Sequence, residues 1–159
     1  VLDVGCGIGG SSRILARDYG FNVTGITISP EQVKRAIELT APEISAKFQV
    51  DDAMNLSFPD ASFDVVWCIE AGPHMPDKAV FAKELLRVLK PGGVLVVADW
   101  NQRDSRKQPL LLWERWVMRQ LLDQWAHPEF ASIEGFAELL QATALTQGAV
   151  TTSDWTQET

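Results

Sequence analysis

Basic side chains, cysteine and histidine are all scarce in this 159-residue chain. Fourteen Lys and Arg stand against 21 Asp and Glu, a formal net charge of −7, and the cations are concentrated nowhere. Non-specific attraction to a phosphate backbone depends on clustered Lys and Arg, so the balance argues against a nucleic-acid partner and for a small-molecule one. Two cysteines, Cys6 and Cys68, supply neither a disulfide framework nor a CxxC pair, and a reducing compartment is the default. The two histidines, His74 and His127, lie far apart in sequence without ligand clusters beside them, and no metal is expected. No apolar run approaches the roughly 20 residues of a spanning helix, and no leader pattern marks the N-terminus. What is left is ordinary globular composition, 46% hydrophobic and 22% charged, sufficient for one domain with one sizeable core. Residue 1 already reads as strand and residue 159 follows another strand-like stretch, so the chain is expected to be truncated at both ends.

Residues 1 to 10, Val-Leu-Asp-Val-Gly-Cys-Gly-Ile-Gly-Gly, run an apolar strand straight into glycines. Gly5, Gly7 and Gly9 lack the Cβ that blocks close approach of a ligand to the backbone. With Ser11 or Ser12 as cap, the next residues open a helix whose free N–H groups suit an anionic group. The spacing itself leaves two readings open. Gly5, Gly7 and Gly10 satisfy the GxGxxG of dinucleotide enzymes, and Gly5, Gly7 and Gly9 satisfy the GxGxG of S-adenosylmethionine-dependent enzymes. Nicotinamide enzymes usually place an acid about 20 residues after the glycines to hold the ribose. Thr27 stands there, which weakens that reading.

Strand and helix patterns alternate along the first hundred residues: strands at 1–4, 22–28, 47–51, 63–69 and 94–99, helices at 12–19, 30–39 and 78–90. This succession predicts a doubly wound, mostly parallel α/β sheet. Ser29, Pro30 and Gln32 form a Ser-x-x-Gln capping box with proline in the first turn. Pro91-Gly92-Gly93 stops the third helix. Beyond residue 100 the pattern changes: a long helix over 109–125 with apolar residues on more than one face, a capped helix over 132–145, and an alternating strand over 149–155. Residues 1–100 are thus expected to form a cofactor-binding half, 101–131 a helical insertion on the substrate side, and 132–159 a return to the sheet.

The opening ten residues, Asp52-Ala53 after the third strand, and Leu-Leu-Arg-Val-Leu-Lys-Pro-Gly-Gly at 85–93 together resemble class I S-adenosylmethionine-dependent methyltransferases, which are Rossmann-like. More narrowly, 9–13, 25–30 and 74–78 are similar to the tocopherol and plastoquinol ring C-methyltransferases, with sterol C-methyltransferases as near relatives. The resemblance implies that Asp3, Gly5, Cys6, Gly7 and Gly9 hold the methionine end of S-adenosyl-L-methionine, and that Thr27, Ile28 and Gln32 line its ribose. Asp52 would accept from the adenine amino group beside Ala53, and Cys68, Ile69 and Glu70 would border the sulfonium.

The same resemblance implies ring methylation of a prenylated phenol or quinol, with a sterol or a nitrogen acceptor behind it, and a cytoplasmic or thylakoid-associated setting with peripheral membrane contact. A base that takes the hydroxyl proton of such a ring loads electron density onto the attacking carbon, and Glu70 and His74 are the candidates. Relatives ending this strand in Glu-Ser-Gly-Glu-His-Met carry a second acid where this chain has Pro73. Trp100, Trp113 and Trp116, with Trp125, are expected to form a hydrophobic acceptor pocket above the sheet. Asn101, Arg103 and Arg106 read as a solvated loop. A nicotinamide oxidoreductase and a non-catalytic cofactor-binding subunit are the readings from other classes. Oligomeric state is not readable from these residues.

Overall fold

The computed structural model describes residues 1–125, 127–146 and 148–156. Five strands, β1 (Leu2–Val4), β2 (Val23–Thr27), β3 (Ala46–Val50), β4 (Phe63–Ile69) and β5 (Leu89–Ala98), form one sheet in the order β3-β2-β1-β4-β5, every pair parallel. Five helices accompany them: α1 (Gly10–Tyr19), α2 (Pro30–Glu38), α3 (Lys78–Val88), α4 (Leu112–Trp125) and α5 (Ile133–Ala142). The doubly wound α/β architecture follows from the alternation in the sequence, since parallel neighbours require a crossover between them.

Period-two alternation divides the central strand between two cores. Leu2 and Val4 join Val66, Cys68, Phe81, Leu85 and Val88 beneath α3. Leu15 and Ala16 of α1 meet Val23 and Trp67 on the opposite face. Asp3 lies between Leu2 and Val4, in register with Gly25 and Trp67, and bonds α1. A carboxylate at the middle of an otherwise apolar strand therefore meets hydroxyls instead of the main core.

Several boundaries differ from expectation for local reasons. Neither Ser11 nor Ser12 caps α1. The N-cap is Gly9 at φ 78°, with no side-chain cap bond, because both serine hydroxyls turn back to Asp3. Half of the capping box of α2 forms, Gln32 N donating to Ser29 Oγ at 3.3 Å. The Gln32 side chain is used elsewhere, accepting from Thr27 Oγ1 at 2.6 Å. Strand β5 starts at Leu89, ahead of Pro91-Gly92-Gly93, with an irregularity opposite Phe63 and Val65.

The expected strand over 149–155 is absent: the described residues there are irregular and mostly exposed, and Asp154 Oδ1 closes a local turn on Thr156 N. Nor does this region return to the sheet among the described residues. Helix α5 packs on α3 instead, with Phe136 and Phe81 rings 6.2 Å apart. Ser132 caps it as expected, accepting from Gly135 N at 3.0 Å. Among the described residues no helix is long and apolar enough to cross a membrane, and no group of three His, Cys, Asp or Glu is placed to hold a metal ion.

Candidate functional site

All five strands point the same way, so their C-terminal ends share one edge of the sheet. The chain order reverses between β1 and β4, and a crevice opens at such a reversal. Most nominated cofactor residues lie at or just past a strand end, Thr27 and Ile28 at β2, Asp52 and Ala53 after β3, and Cys68, Ile69 and Glu70 at β4, while Asp3 sits in the middle of the short β1.

The glycine turn is built for left-handed backbone. Gly5, Gly7 and Gly9 have φ of 74°, 54° and 78°, values that L side chains rarely adopt. Their surroundings differ. A Cβ on Gly5 would collide with the Cβ of Ala71, and one on Gly9 would lie 2.6 Å from the Phe48 ring. A Cβ on Gly7 would meet nothing within 4 Å. Gly5 and Gly9 are therefore small because the protein packs on them, whereas at Gly7 it is the left-handed backbone alone that calls for glycine.

Asp3 holds this turn from within. It is 1% exposed, and its Oδ2 accepts from Ser11 Oγ at 2.7 Å and Ser12 Oγ at 2.5 Å. Burial raises its pKa above the ordinary carboxylate value, and the two hydroxyls oppose that rise. A buried carboxylate without partners would have argued for a ligand, but the partners are supplied by α1. Cys6 is buried, its thiol pushed up to about 12 by desolvation and by the neighbouring Asp3 charge. It fills space and is not a nucleophile. Cys68 is wholly buried, its thiol also raised by desolvation.

On the β2 side, Thr27 Oγ1 donates to Gln32 Oε1 and accepts from Ser29 N at 3.3 Å, so these two nominated ribose residues are joined to each other. Ile28 is exposed beside them. After β3, Asp52 Oδ1 accepts from Met54 N at 2.8 Å, closing an Asx turn that buries Ala53.

The β4 end carries the acid–base candidates. Glu70 has φ 57°, a conformation that costs a non-glycine residue on the order of 1 kcal/mol and tends to mark functional sites. It swings the chain from β4 into a 3-10 turn, Gly72–His74. The His74 ring stacks on His127 with centroids 4.3 Å apart. Burial, then the nearby His127 and Lys78 charges, lower the His74 pKa, which keeps the imidazole neutral and basic below the usual His range. His127 had no role in the sequence reading. Its Nδ1 is buried without a partner among the described residues.

Sequence reasoning also missed Asp99, at the end of β5. Its Oδ1 accepts from Gly72 N at 3.2 Å, and its Oδ2 stands where a Cβ on Gly72 would be, which explains the glycine. Asp99, Lys78, Trp100 and Phe136 line a cavity of about 10 Å³, room for one water. Desolvation pushes the Asp99 carboxyl up to about 6, and the Gly72 N–H and Lys78 only partly oppose this.

Protonated Asp99 is thus favoured by the fold, and between about pH 4 and 6 the native chain binds more protons here than the unfolded one, so stability falls as pH rises through that window. Asp99→Asn is expected to stabilise the protein by about 1–2 kcal/mol at pH 8, raising Tm by several degrees, and to change nothing below pH 4. Equal melting temperatures at pH 8 would refute this account.

The tryptophans do not form the expected pocket. Trp113 and Trp116 are 63% and 65% exposed on α4, a helix with no buried residue, and Trp100 is 61% exposed. Arg103 and Arg106, expected to solvate a loop, are instead bound within the chain. Arg103 Nη1 donates to Glu114 Oε1 at 2.9 Å, and Arg106 bridges Asp104 and Glu138, so they tie the 101–111 segment to α4 and α5.

Comparison with known proteins decides between the two glycine spacings. A family model described as a methyltransferase domain matches residues 2–97. The chain belongs to this methyltransferase family. Along all of its length it is 80% identical to a 2-methyl-6-phytyl-1,4-hydroquinone methyltransferase of Synechocystis sp., of which it covers 50%. Over 99% of its length it is 42% identical to the chloroplastic tocopherol O-methyltransferase of Arabidopsis thaliana, covering 46%. The methyltransferase chain therefore spans about half the length of these curated relatives. Among solved structures, phosphoethanolamine N-methyltransferase 2 of Haemonchus contortus in complex with S-adenosyl-L-methionine aligns over 90% of this methyltransferase and 32% of its own chain, with TM-score 0.79 and 25% identity. The resemblance carried by the glycine turn, Asp52-Ala53 and residues 85–93 is borne out at the level of the family.

Proposed function

We propose that this domain carries the methyl-transfer site of an enzyme that methylates a ring carbon of a prenylated quinol with S-adenosyl-L-methionine as donor. The observation that supports this above others is the 80% identity, over the whole chain, to a methyltransferase whose name specifies a phytyl hydroquinone. The alternatives of a sterol or a nitrogen acceptor have more distant relatives behind them. Of the two settings, cytoplasmic or plastid and thylakoid-associated, the plastid one has a relative whose name is chloroplastic behind it.

In this reading Gly5, Gly7 and Gly9 receive the amino-acid end of the cofactor and the N–H groups of the first turn of α1 meet its carboxylate. Asp3 and Cys6 shape that turn from beneath. Thr27, Ile28 and Gln32 hold the ribose, Asp52 accepts from the adenine amino group, and Ala53 gives it a backbone edge. When bound, the cofactor supplies an electrophilic methyl on a positive sulfur. The edge formed by Cys68, Ile69 and Glu70 keeps water from that methyl and leaves one line of approach. His74, with Glu70 close in the chain, would take the acceptor's hydroxyl proton as the ring carbon accepts the methyl, and loss of that carbon's own proton, with the oxygen reprotonated, would restore the aromatic quinol. Residues 101–131 form the acceptor side, where the exposed Trp100, Trp113 and Trp116 receive a lipophilic tail and contact a membrane surface, aromatic rings being suited to that boundary.

Transfer of labelled methyl from S-adenosyl-L-methionine to 2-methyl-6-phytylhydroquinone tests the reading, with dimethylated quinol expected as the product. Methyl transfer to other lipids but not to the quinol would sink the acceptor, and tighter binding of reduced nicotinamide dinucleotide than of S-adenosylhomocysteine would sink the donor. Because the His74 pKa is lowered, kcat/KM is expected to fall on acidification with an apparent pKa below 6.5. His74→Gln should remove that limb and lower kcat by about 10²-fold. An unchanged profile in the variant would pass the role to Glu70.

A further inference from the structure

We propose that Arg87 and Glu84 of α3 are positioning residues for the adenine-binding turn, and through it set the preference for the purine 6-amino group. This rests on the reading of Asp52 as the acceptor for that group.

The segment between β3 and β4, residues 51–62, has no regular structure of its own. Its first half is closed locally. Asp51 Oδ2 accepts from Ser57 Oγ at 2.8 Å, and Asn55 N donates to Asp52 O at 2.9 Å. The start of the turn is held to the sheet where Asp51 N donates to Thr27 O at 3.1 Å, and its far half is held by α3. Glu84 Oε2 accepts from Leu56 N at 2.9 Å, and Arg87 Nη2 donates to Leu56 O at 2.9 Å. The two side chains together therefore present Leu56 with an acceptor and a donor, as the edge of a neighbouring strand would. Arg87 Nη1 donates further to Phe58 O and to Asp60 Oδ1, each at 2.8 Å. Arg87 Nε and Nη2 also lock Glu84 at 2.8 Å in a bidentate pair.

Both side chains are largely buried, Arg87 at 20% and Glu84 at 13% exposure, so this is not a loose surface pair. Leu56 is itself in the main core, four residues from Asp52. The planar guanidinium serves three acceptor groups of the loop while orienting Glu84, which a lysine ammonium cannot do with one nitrogen. Leu56 is four residues from Asp52 in the same turn, so its displacement is expected to shift the Met54 side of the Asx turn, while the Asp51 side stays on Thr27.

The test compares binding of S-adenosylhomocysteine with binding of its 6-deamino purine analogue, by calorimetry, for the native protein and for Asp52→Ala, Arg87→Lys and Glu84→Gln. The native protein is expected to prefer the amino-bearing ligand by roughly tenfold, the range of one charge-assisted hydrogen bond. Asp52→Ala should abolish the preference. Arg87→Lys and Glu84→Gln should reduce it at least threefold while leaving affinity for the deamino analogue within twofold.

The ratio is independent of the folded fraction, so simple destabilisation does not produce this result, and either variant alone suffices if the other fails to fold. A native ratio in Arg87→Lys and Glu84→Gln, with Asp52→Ala having lost it, overturns the clamp and leaves the Asp52 reading standing. Retention of the preference in Asp52→Ala, or its absence from the native protein, overturns that reading and the clamp with it.

Discussion

Gly7→Ala is expected to leave stability nearly unchanged, about 1 kcal/mol lower, and to weaken S-adenosylhomocysteine at least 30-fold, whereas Gly5→Ala should destabilise the protein by about 3–4 kcal/mol. Both glycines have left-handed backbone, φ 54° and 74°, and the strain of putting alanine there is on the order of 1 kcal/mol in each. What separates them is the neighbourhood. The Gly7 methyl would project into space that no protein atom occupies within 4 Å, while the Gly5 methyl would be driven into the Ala71 Cβ of the neighbouring strand's exit turn. Relieving that overlap moves the β4 end, adding about 2–3 kcal/mol to the strain. Thermal melting and ligand titration on the two variants check the contrast. Comparable affinity loss without destabilisation in both would show that the open side of the turn had been misread.

Asp3→Ala should destabilise the protein by about 2–3 kcal/mol, and Asp3→Asn by less than about 1. The alanine leaves the Ser12 hydroxyl, fully buried, and the Ser11 hydroxyl without their acceptor, and an unpaired buried polar group costs about 1–3 kcal/mol. Asparagine keeps an acceptor oxygen in place. It also removes a charge that burial opposes: the raised Asp3 pKa means that the carboxylate detracts from stability as pH rises above its ordinary value, so the asparagine should compare best at alkaline pH. Urea titration at pH 5 and pH 8 measures both. An alanine variant as stable as the native protein would show that the serines need no partner.

The fold was legible where local chemistry and periodicity agreed. The glycine turn, the Ser29-Pro30 start of α2, the Ser132 cap and the apolar run of β4 each point to one conformation. It was illegible where a side chain had two uses. Ser11 and Ser12 have the right identity to cap α1, yet a carboxylate eight or nine residues earlier takes both hydroxyls. Gln32 suits a capping box, yet Thr27 takes its amide oxygen.

The candidate site was read as positions along strands, and the structure has left-handed backbone at the glycine turn and a 3-10 turn after Glu70. Residues arriving from other elements escaped, because nothing in sequence spacing brings Asp99 to Gly72 or His127 onto His74. The alternation over 149–155 resembled a strand, but a strand exists only with a neighbour to bond, and none is present among the described residues. Tryptophans at helical spacing likewise implied burial that α4 does not receive.

The span of chain enclosed by each contact carries a consequence for how the protein assembles. Asp3 reaches Ser11 and Ser12 across only eight and nine residues, a loop of small closure entropy, so the glycine turn is free to form as soon as β1 and α1 condense. The other wall of the crevice is β4, whose Val66 pairs with Leu2 across 64 positions, and contacts so distant slow folding. A refolding chain therefore makes its glycine turn early and its crevice late, and binding of S-adenosylhomocysteine should rise with the slow phase, after the helical signal has largely returned.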